Sequence, residues 1–409
     1  MKSMKEQNDK YKWYVLTLVV LTNMFTVAIP SMGMAVLSDE ISRDLNLNLV
    51  QVGIVWGMGA LLGVATSLLG GAIGDKFGAK RVLVVSVLLA GLFGMLRGLA
   101  FDFISMTVIV ILLGSVIPFV TTNGIKTAGI WFPSHQLGLA NGLISMGMAL
   151  GFLIGAQFSA TTFSPLLGGW RNVLLLYGLI GTLFSIPWFF TKTHKESSAR
   201  SKGVPGLMRK TLQHVISLKN VWLLGFTLFG VSGAIQGILG YLPLYLRGIG
   251  WLPAYADGAL SAFHTISMIC VMPIALWSDR LGSRKGLLLI GSLIVALGSG
   301  LLSFASGGLI WASVLLAGFV RDAFMAIFMT TVFETEGVDA DCAGTALGFV
   351  MAISGIGNVL APPIGNSLAV FWPGAPFVFW SALAVFGTLC LSMVKQAQSL
   401  PAAELAVNI

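Results

Sequence analysis

The residues best placed to do chemistry in this 409-residue chain are ionisable side chains inside long apolar runs. Arg321 and Asp322 stand together near the middle of the run Leu309–Phe333. Lys126 stands toward the end of Ile104–Ile130, Arg97 toward the end of Val82–Phe101, and His264 inside Ala256–Trp277. A guanidinium keeps its charge at any biological pH. At the centre of a membrane helix that charge costs about 2.5–3.5 kcal/mol on insertion scales, which is tolerable beside a watery cavity or an anionic partner. Arg321 is therefore expected to hold the negative group of a solute, through two parallel hydrogen bonds. Lys126 is expected to be a second counter-charge. Arg97 reads equally as a binding residue at the way in or as an anchor. Asp322 and His264 lie deep enough to carry a proton during coupling. Asn123 and Gln236, with Asn23, Gln157 and Asn358, are neutral polar candidates for the lining. Tyr241 and Tyr245 either line the same cavity or belong to an interfacial aromatic belt.

Each of these has a plainer reading. Arg321 could do no more than pair with Asp322, although neighbours on a helix point about 100° apart and would pair imperfectly. Lys126 could snorkel to the interface. His264 could be a hydrogen-bonded packing residue.

Other chemistry is poorly represented. There is no phosphate-binding Gly-Lys-Ser/Thr loop, so ATP is not expected to supply energy. His135, His194 and His214 fall in polar stretches without metal-ligand spacing. Cys270, Cys342 and Cys390 are odd in number and show no redox or metal pattern, so they read as small packing residues. No cofactor, no metal and no enzyme activity are expected. Composition explains why. The chain is 56% hydrophobic and 10% charged, whereas a soluble domain carries about 25% charged residues. Lipid must be its main solvent. The net charge of +8 would fit a nucleic-acid partner, but the basic residues gather in the loops of one membrane side. They are a topology signal instead.

A helix needs about 20 apolar residues to cross a bilayer. By that measure twelve spans are expected: Trp13–Val36, Leu49–Ile73, Val82–Phe101, Ile104–Ile130, Leu137–Ser159, Val173–Phe190, Val221–Leu246, Ala256–Trp277, Gly286–Phe304, Leu309–Phe333, Gly344–Val370 and Pro376–Met393. The runs lack the alternation of barrel strands, so they read as helices. The apolar run after Lys12 is too long for a signal peptide and reads as an uncleaved first span. Lysines and arginines near both ends and in the 191–220 segment place both termini in the cytoplasm. Within that segment, Leu207–Leu218 reads as a basic, partly amphipathic helix at the lipid surface.

Two loops repeat. Gly71-Ala72-Ile73-Gly74-Asp75-Lys76-Phe77-Gly78-Ala79-Lys80-Arg81 follows the second span, and Ala275-Leu276-Trp277-Ser278-Asp279-Arg280-Leu281-Gly282-Ser283-Arg284-Lys285 follows the eighth, 204 positions later. Gly138–Gly142 and Gly344–Gly348 repeat at nearly the same offset. The pattern implies two homologous halves, residues 1–190 and 221–409, joined by a cytoplasmic linker, 191–220.

Twelve spans in a six-plus-six repeat, with Asp75-Lys76-Phe77-Gly78-Ala79-Lys80-Arg81 after span two, resemble the major facilitator superfamily. The stretches Gly94–Leu99, Asn123–Lys126, Trp131-Phe132-Pro133 and Gly240–Leu246 are similar to its cyanate/nitroimidazole-type permeases. The resemblance implies an all-α membrane fold of two pseudo-symmetric six-helix bundles and a secondary transporter working by alternating access. It implies that Asp75, Lys76 and Arg81, with Asp279, Arg280 and Arg284, form latches that hold one gating state. The solute is expected to be a small anion, with proton coupling and exchange both open. A multidrug/proton antiporter is the alternative within transport, and a non-transporting membrane sensor the alternative outside it. The expected setting is the inner (plasma) membrane, as a monomer, with lipid and a small solute as partners and no nucleic acid.

Overall fold

Helices carry almost all of the computed structural model, which describes residues 2–133, 136–192, 205–281, 284–339 and 342–395. For 2–10, 64, 67–68, 71–72, 205–210, 275 and 279–281 it describes the backbone alone. Among the described residues, eleven stretches are long and apolar enough to cross a bilayer. They are span one (Tyr11–Asp44), three (Ala79–Leu99), four (Phe103–Trp131), five (Leu137–Leu167), six (Trp170–Phe190), seven (Lys219–Gly248), eight (Pro253–Ser278), nine (Arg284–Leu302), ten (Gly308–Phe333), eleven (Ala343–Val370) and twelve (Ala375–Ser392). Span two completes the twelve as a broken helix, Leu49–Met58 and then Gly63–Phe77, with a turn over 59–62. Span ten is also interrupted, between Gly308–Gly318 and Arg321–Phe333.

The observed boundaries differ from the expected ones where polar residues continue a helix. Span one runs on to Asp44 rather than stopping at Val36. Its last turns are held by the opposite end of the first half: Ser164 Oγ donates to Glu40 (2.6 Å), and Trp170 Nε1 and Arg171 donate to Asp44. A hydropathy reading stops at the first carboxylates, while the helix continues above them. Sharp starts are set by side chains. Asn48 with Gln51, and Asp102 with Ser105, form reciprocal caps that open spans two and four. At the far end of the chain, Lys285 Nζ donates to the carbonyls of Ser392 (2.8 Å) and Val394 (2.7 Å), which closes span twelve. The helix expected over Leu207–Leu218 forms as Pro205–Ser217, and His214 Nε2 lies 3.3 Å from the Gly337 carbonyl oxygen.

Helix association in lipid depends on close packing, because hydrocarbon offers no hydrophobic drive between helices. Small residues supply it here. Spans three and six touch backbone to backbone: a Cβ at Gly91 would strike Thr182, and one at Gly178 would strike the Met95 amide. In span five, Gly151 faces Ala28, where a Cβ would lie 2.6 Å from the alanine methyl. Gly147 and Gly155 face Val20 and Ile29 in the same way, so the stripe Gly147, Gly151 and Gly155 packs on span one. Buried tryptophans find acceptors. Trp188 Nε1 donates to Thr22 Oγ1 (2.8 Å) and Trp380 Nε1 to the Ala361 carbonyl (2.9 Å).

Hydrogen bonds between spans one to six and spans seven to twelve cluster on the side away from the termini. Arg247 Nη1 donates to the Val36 carbonyl (2.7 Å), Asn366 Nδ2 to that of Leu49 (2.8 Å), and Trp56 Nε1 to that of Gln236 (2.8 Å). On the same side Gly57 approaches span eleven so closely that a Cβ would lie 2.6 Å from the Val359 oxygen. The molecule is packed shut on this distal side.

The Gly178→Val variant should lower thermal stability, by about 1–3 kcal/mol from overpacking. Gly129→Ala, where no atom lies within 4 Å of the added carbon, should leave it near wild type. Thermal unfolding of both purified variants in detergent checks this; equal melting temperatures would refute the close-packing account.

Candidate functional site

Three helix breaks and one helix end converge on a single cavity. The turn of span two, Pro118 within span four, the interruption of span ten and the 3-10 turn Arg97–Leu99 that ends span three lie around or beside a central cavity of about 340 Å³. Discontinuous helices of this kind commonly surround midplane solute sites. Arg97, Arg321 and Gln236 line the cavity together with Trp56, Phe152 and Met34. Arg97 opens its 3-10 turn, and Arg321 is the first residue of the second helix of span ten. Each arginine sits where the backbone changes course.

The two guanidinium groups are held differently. Arg97 is 3% exposed. Its Nη1 donates to the Pro30 carbonyl (3.5 Å) and the Met34 sulfur (3.4 Å), while Nε and Nη2 have no partner. Buried polar groups are nearly always paired, so two such donors need an explanation. Arg321 is well occupied. Its Nη1 lies 3.1 Å from Asp322 Oδ1 and 3.4 Å from His264 Nδ1, and its plane lies over the Phe152 ring at 5.4 Å. Arg321 thus does pair with Asp322, despite the divergence expected of helix neighbours. Asp322 is fixed from the other side, where Ser267 Oγ donates to its Oδ2 (2.7 Å). His264 is buried between Arg321 and Met32, with Nε2 3.1 Å from the Met32 sulfur. A guanidinium donating to Nδ1 requires that nitrogen to be unprotonated, so the ring is neutral with its proton on Nε2.

The remaining candidates lie elsewhere. Lys126 forms an ion pair with Asp75 at 2.5 Å, nearer the terminal side, and does not line the cavity. Asn123 is fully buried, and its Nδ2 donates to the carbonyls of Phe119 (2.9 Å) and Gly70 (3.2 Å), which ties span four to span two. The Tyr241 hydroxyl donates to the Pro373 carbonyl (3.0 Å), and its ring packs on Phe377 and Trp380. Of the gating set, Asp75 is taken by Lys126, Lys76 lies over the Phe77 ring, Arg81 shares a terminal-side pocket with Lys80 and Lys192, and Arg284 pairs with Glu334. The side chains of Asp279 and Arg280 lie outside the described residues.

One pair was not singled out from sequence. Asp257 is fully buried on the distal side, 2.6 Å from Arg247, the residue that reaches the Val36 carbonyl across the halves. The signal was there. Two opposite charges stand ten positions apart across the short turn between spans seven and eight, where antiparallel neighbours face each other.

The profile of the Major Facilitator Superfamily matches residues 16–337. The chain belongs to the Major Facilitator Superfamily. It is a multi-pass membrane transporter of small molecules rather than an enzyme. Within the superfamily it is 25% identical over 395 residues to the hexuronate transporter of Bacillus subtilis (strain 168), covering 88% of this chain and 89% of that one. It is 26% identical over 366 residues to the 3-(3-hydroxy-phenyl)propionate transporter of Escherichia coli (strain K12), covering 85% and 86%. It is 24% identical over 387 residues to the probable nitrate transporter NarT of Staphylococcus carnosus (strain TM300), covering 92% of each. Its fold matches the crystal structure of a bacterial homolog of the human lysosomal transporter Spinster, inward-facing and unoccupied, with a TM-score of 0.74 and 16% identity over 93% of this chain and 96% of that one.

Removing one member of a buried ion pair typically costs about 3–5 kcal/mol. Asp257→Ala should therefore weaken distal closure. A cysteine replacing Ser38, which is 8% exposed on that side, should alkylate about tenfold faster or more in that background. Unchanged alkylation would mean that the pair does not hold the distal side shut.

Proposed function

We propose that this transporter carries a small anion by alternating access, with the anion held between Arg97 of the first half and Arg321 of the second. The observation that carries this reading is Arg97, a buried cation with no carboxylate partner among the described residues, on the wall of a cavity that Arg321 also lines. An unpaired buried charge is strongly unfavourable, and an anion in the cavity would relieve it. The relatives described above support the reading: hexuronate, a phenylpropionate and nitrate are all anionic.

Residues 1–190 and 221–409 are the two bodies that rock about this site. Lysine-rich loops put the termini in the cytoplasm of a cell whose inner membrane holds the protein, so distal closure corresponds to an inward-facing state. Asp75 and Lys126 then act as a cytoplasmic-side tie within the first half. Of the two candidates for proton coupling, His264 is committed as a neutral ring between Arg321 and Met32, which leaves Asp322. Its protonation would release Arg321.

The test is calorimetric binding of nitrate, glucuronate and 3-phenylpropionate to folded, monodisperse protein. For whichever anion binds, Arg97→Ala should weaken affinity by about 100-fold, the scale of losing a charged hydrogen-bond pair. Arg97→Lys should recover part of the loss, because it keeps the charge without the fork. Arg321→Ala should weaken it less, since Asp322 already neutralises that group. Wild-type affinity in both alanine variants would remove the anion reading. The topology has its own check: a cysteine replacing Ser197 should resist impermeant reagents in intact cells, and ready labelling would reverse the orientation.

A further inference from the structure

We infer that the solute is a monocarboxylate with an apolar body, its one charge balancing that of Arg97; the inference rests on the anion reading above and narrows it. Charge decides the first part. The ionised side chains lining the cavity are Arg97 and Arg321. Arg321 is matched by Asp322 at 3.1 Å, and the ring of His264 between Arg321 and Met32 is neutral. One positive charge is left over, that of Arg97. A single negative charge balances it. A dianion would leave a second charge buried without a partner.

The burial of Arg97 decides the second part. Its Nη1 is occupied by the Pro30 carbonyl and the Met34 sulfur. Nε and Nη2 have neither a hydrogen-bond partner nor accessible surface. Water screens this charge little, so a single negative charge in the adjoining cavity acts on it strongly.

The walls decide the third. The neutral polar side chains on the cavity are Ser31 and Gln236. Ser31 already donates its hydroxyl proton to the Val27 carbonyl (2.7 Å). The Trp56 indole N–H is also committed, to the Gln236 carbonyl. The Gln236 amide is the one neutral group with donors to spare. A sugar acid would bring several hydroxyls into this space and leave most of them without partners, each at a cost. Met34, Val110, Leu113, Leu239, Phe152 and Trp56 instead offer methyl, thioether and ring surface. A bare inorganic anion would satisfy Arg97 but leave these walls uncovered in a cavity of about 340 Å³. A carboxylate carrying an aromatic or branched apolar group fills both needs.

The experiment is a ligand series on the purified wild-type protein, read by calorimetry at one pH and salt. 3-Phenylpropionate is expected to bind at least about tenfold more tightly than glucuronate, galactarate or nitrate, the scale on which unpaired polar groups and lost apolar contact discriminate ligands. The uncharged 3-phenylpropanamide should bind at least about tenfold more weakly than the acid, and the difference between acid and amide should vanish in Arg97→Ala. Tighter binding of glucuronate, galactarate or nitrate, lost in Arg97→Ala, would overturn the monocarboxylate inference while the anion reading stood. Equal binding of acid and amide, with no binding of the other anions, would overturn both. The wild-type series decides the matter even where a variant does not fold. In Leu113→Gln the new amide should narrow the gap between 3-phenylpropionate and glucuronate, and an unchanged gap would count against the role given to the walls.

Discussion

A permanent charge in hydrocarbon must be matched, and this protein is organised around the places where it is or is not. Arg321 is matched by Asp322, Arg247 by Asp257 and Lys126 by Asp75. Arg97 is held at one nitrogen and left open at two others. Three pairs stabilise local geometry. The fourth cation is stored unsatisfied, a state that tight packing around it has to support. The backbone contacts of spans three and six lie next to it: Gly94, one turn before Arg97, approaches Gly178, and a Cβ at Gly98 would meet the Arg171 carbonyl at 2.6 Å.

Much of the fold could be read from the sequence because lipid imposes one simple rule, a long apolar helix for every crossing. Composition, the spacing of Asp75 and Asp279, and the repeat of Gly138 near Gly344 identify the superfamily without any coordinates. The site was legible only in part. Arg97, Arg321, Gln236, Asp322 and His264 stand out as polar residues in apolar runs, and the structure brings Arg97, Arg321 and Gln236 to one cavity, with His264 and Asp322 bonded to Arg321. Lys126 stands out by the same rule, yet its partner Asp75 lies 51 positions away on another helix. Hydropathy carries no information on which helices are neighbours, so it cannot separate a charge that meets solute from one that meets a carboxylate. The same blindness hides the breaks in spans two and ten. Gly59, Ala60, Leu61 and Leu62 are as apolar as a helix, and the turn they make follows from packing against span four, where Gly114 lies against Gly59.

The matched pairs also divide the work by depth. Asp75 and Lys126 lie toward the terminal side, Arg321 and Asp322 at the middle, Arg247 and Asp257 at the distal end. Among these, Arg247 reaches across to a carbonyl of the other half, and Arg321 lies over the Phe152 ring of that half. The three pairs are separate along the depth of the molecule and form no continuous chain of charges.

The bonds that close the distal side share one trait: Arg247, Asn366, Trp56 and Ser261 all donate to main-chain carbonyls, those of Val36, Leu49, Gln236 and Leu153. An oxygen of this kind has a second lone pair, and where its helix continues that pair remains with the amide one turn on. Separation then strands side-chain donors, which water can satisfy, and few or no acceptors. The acceptor positions are also free to change residue type, since every amino acid presents the same carbonyl. A seam built this way can come apart and re-form many times without leaving a wound in either face, and it can drift in sequence without losing its stitch.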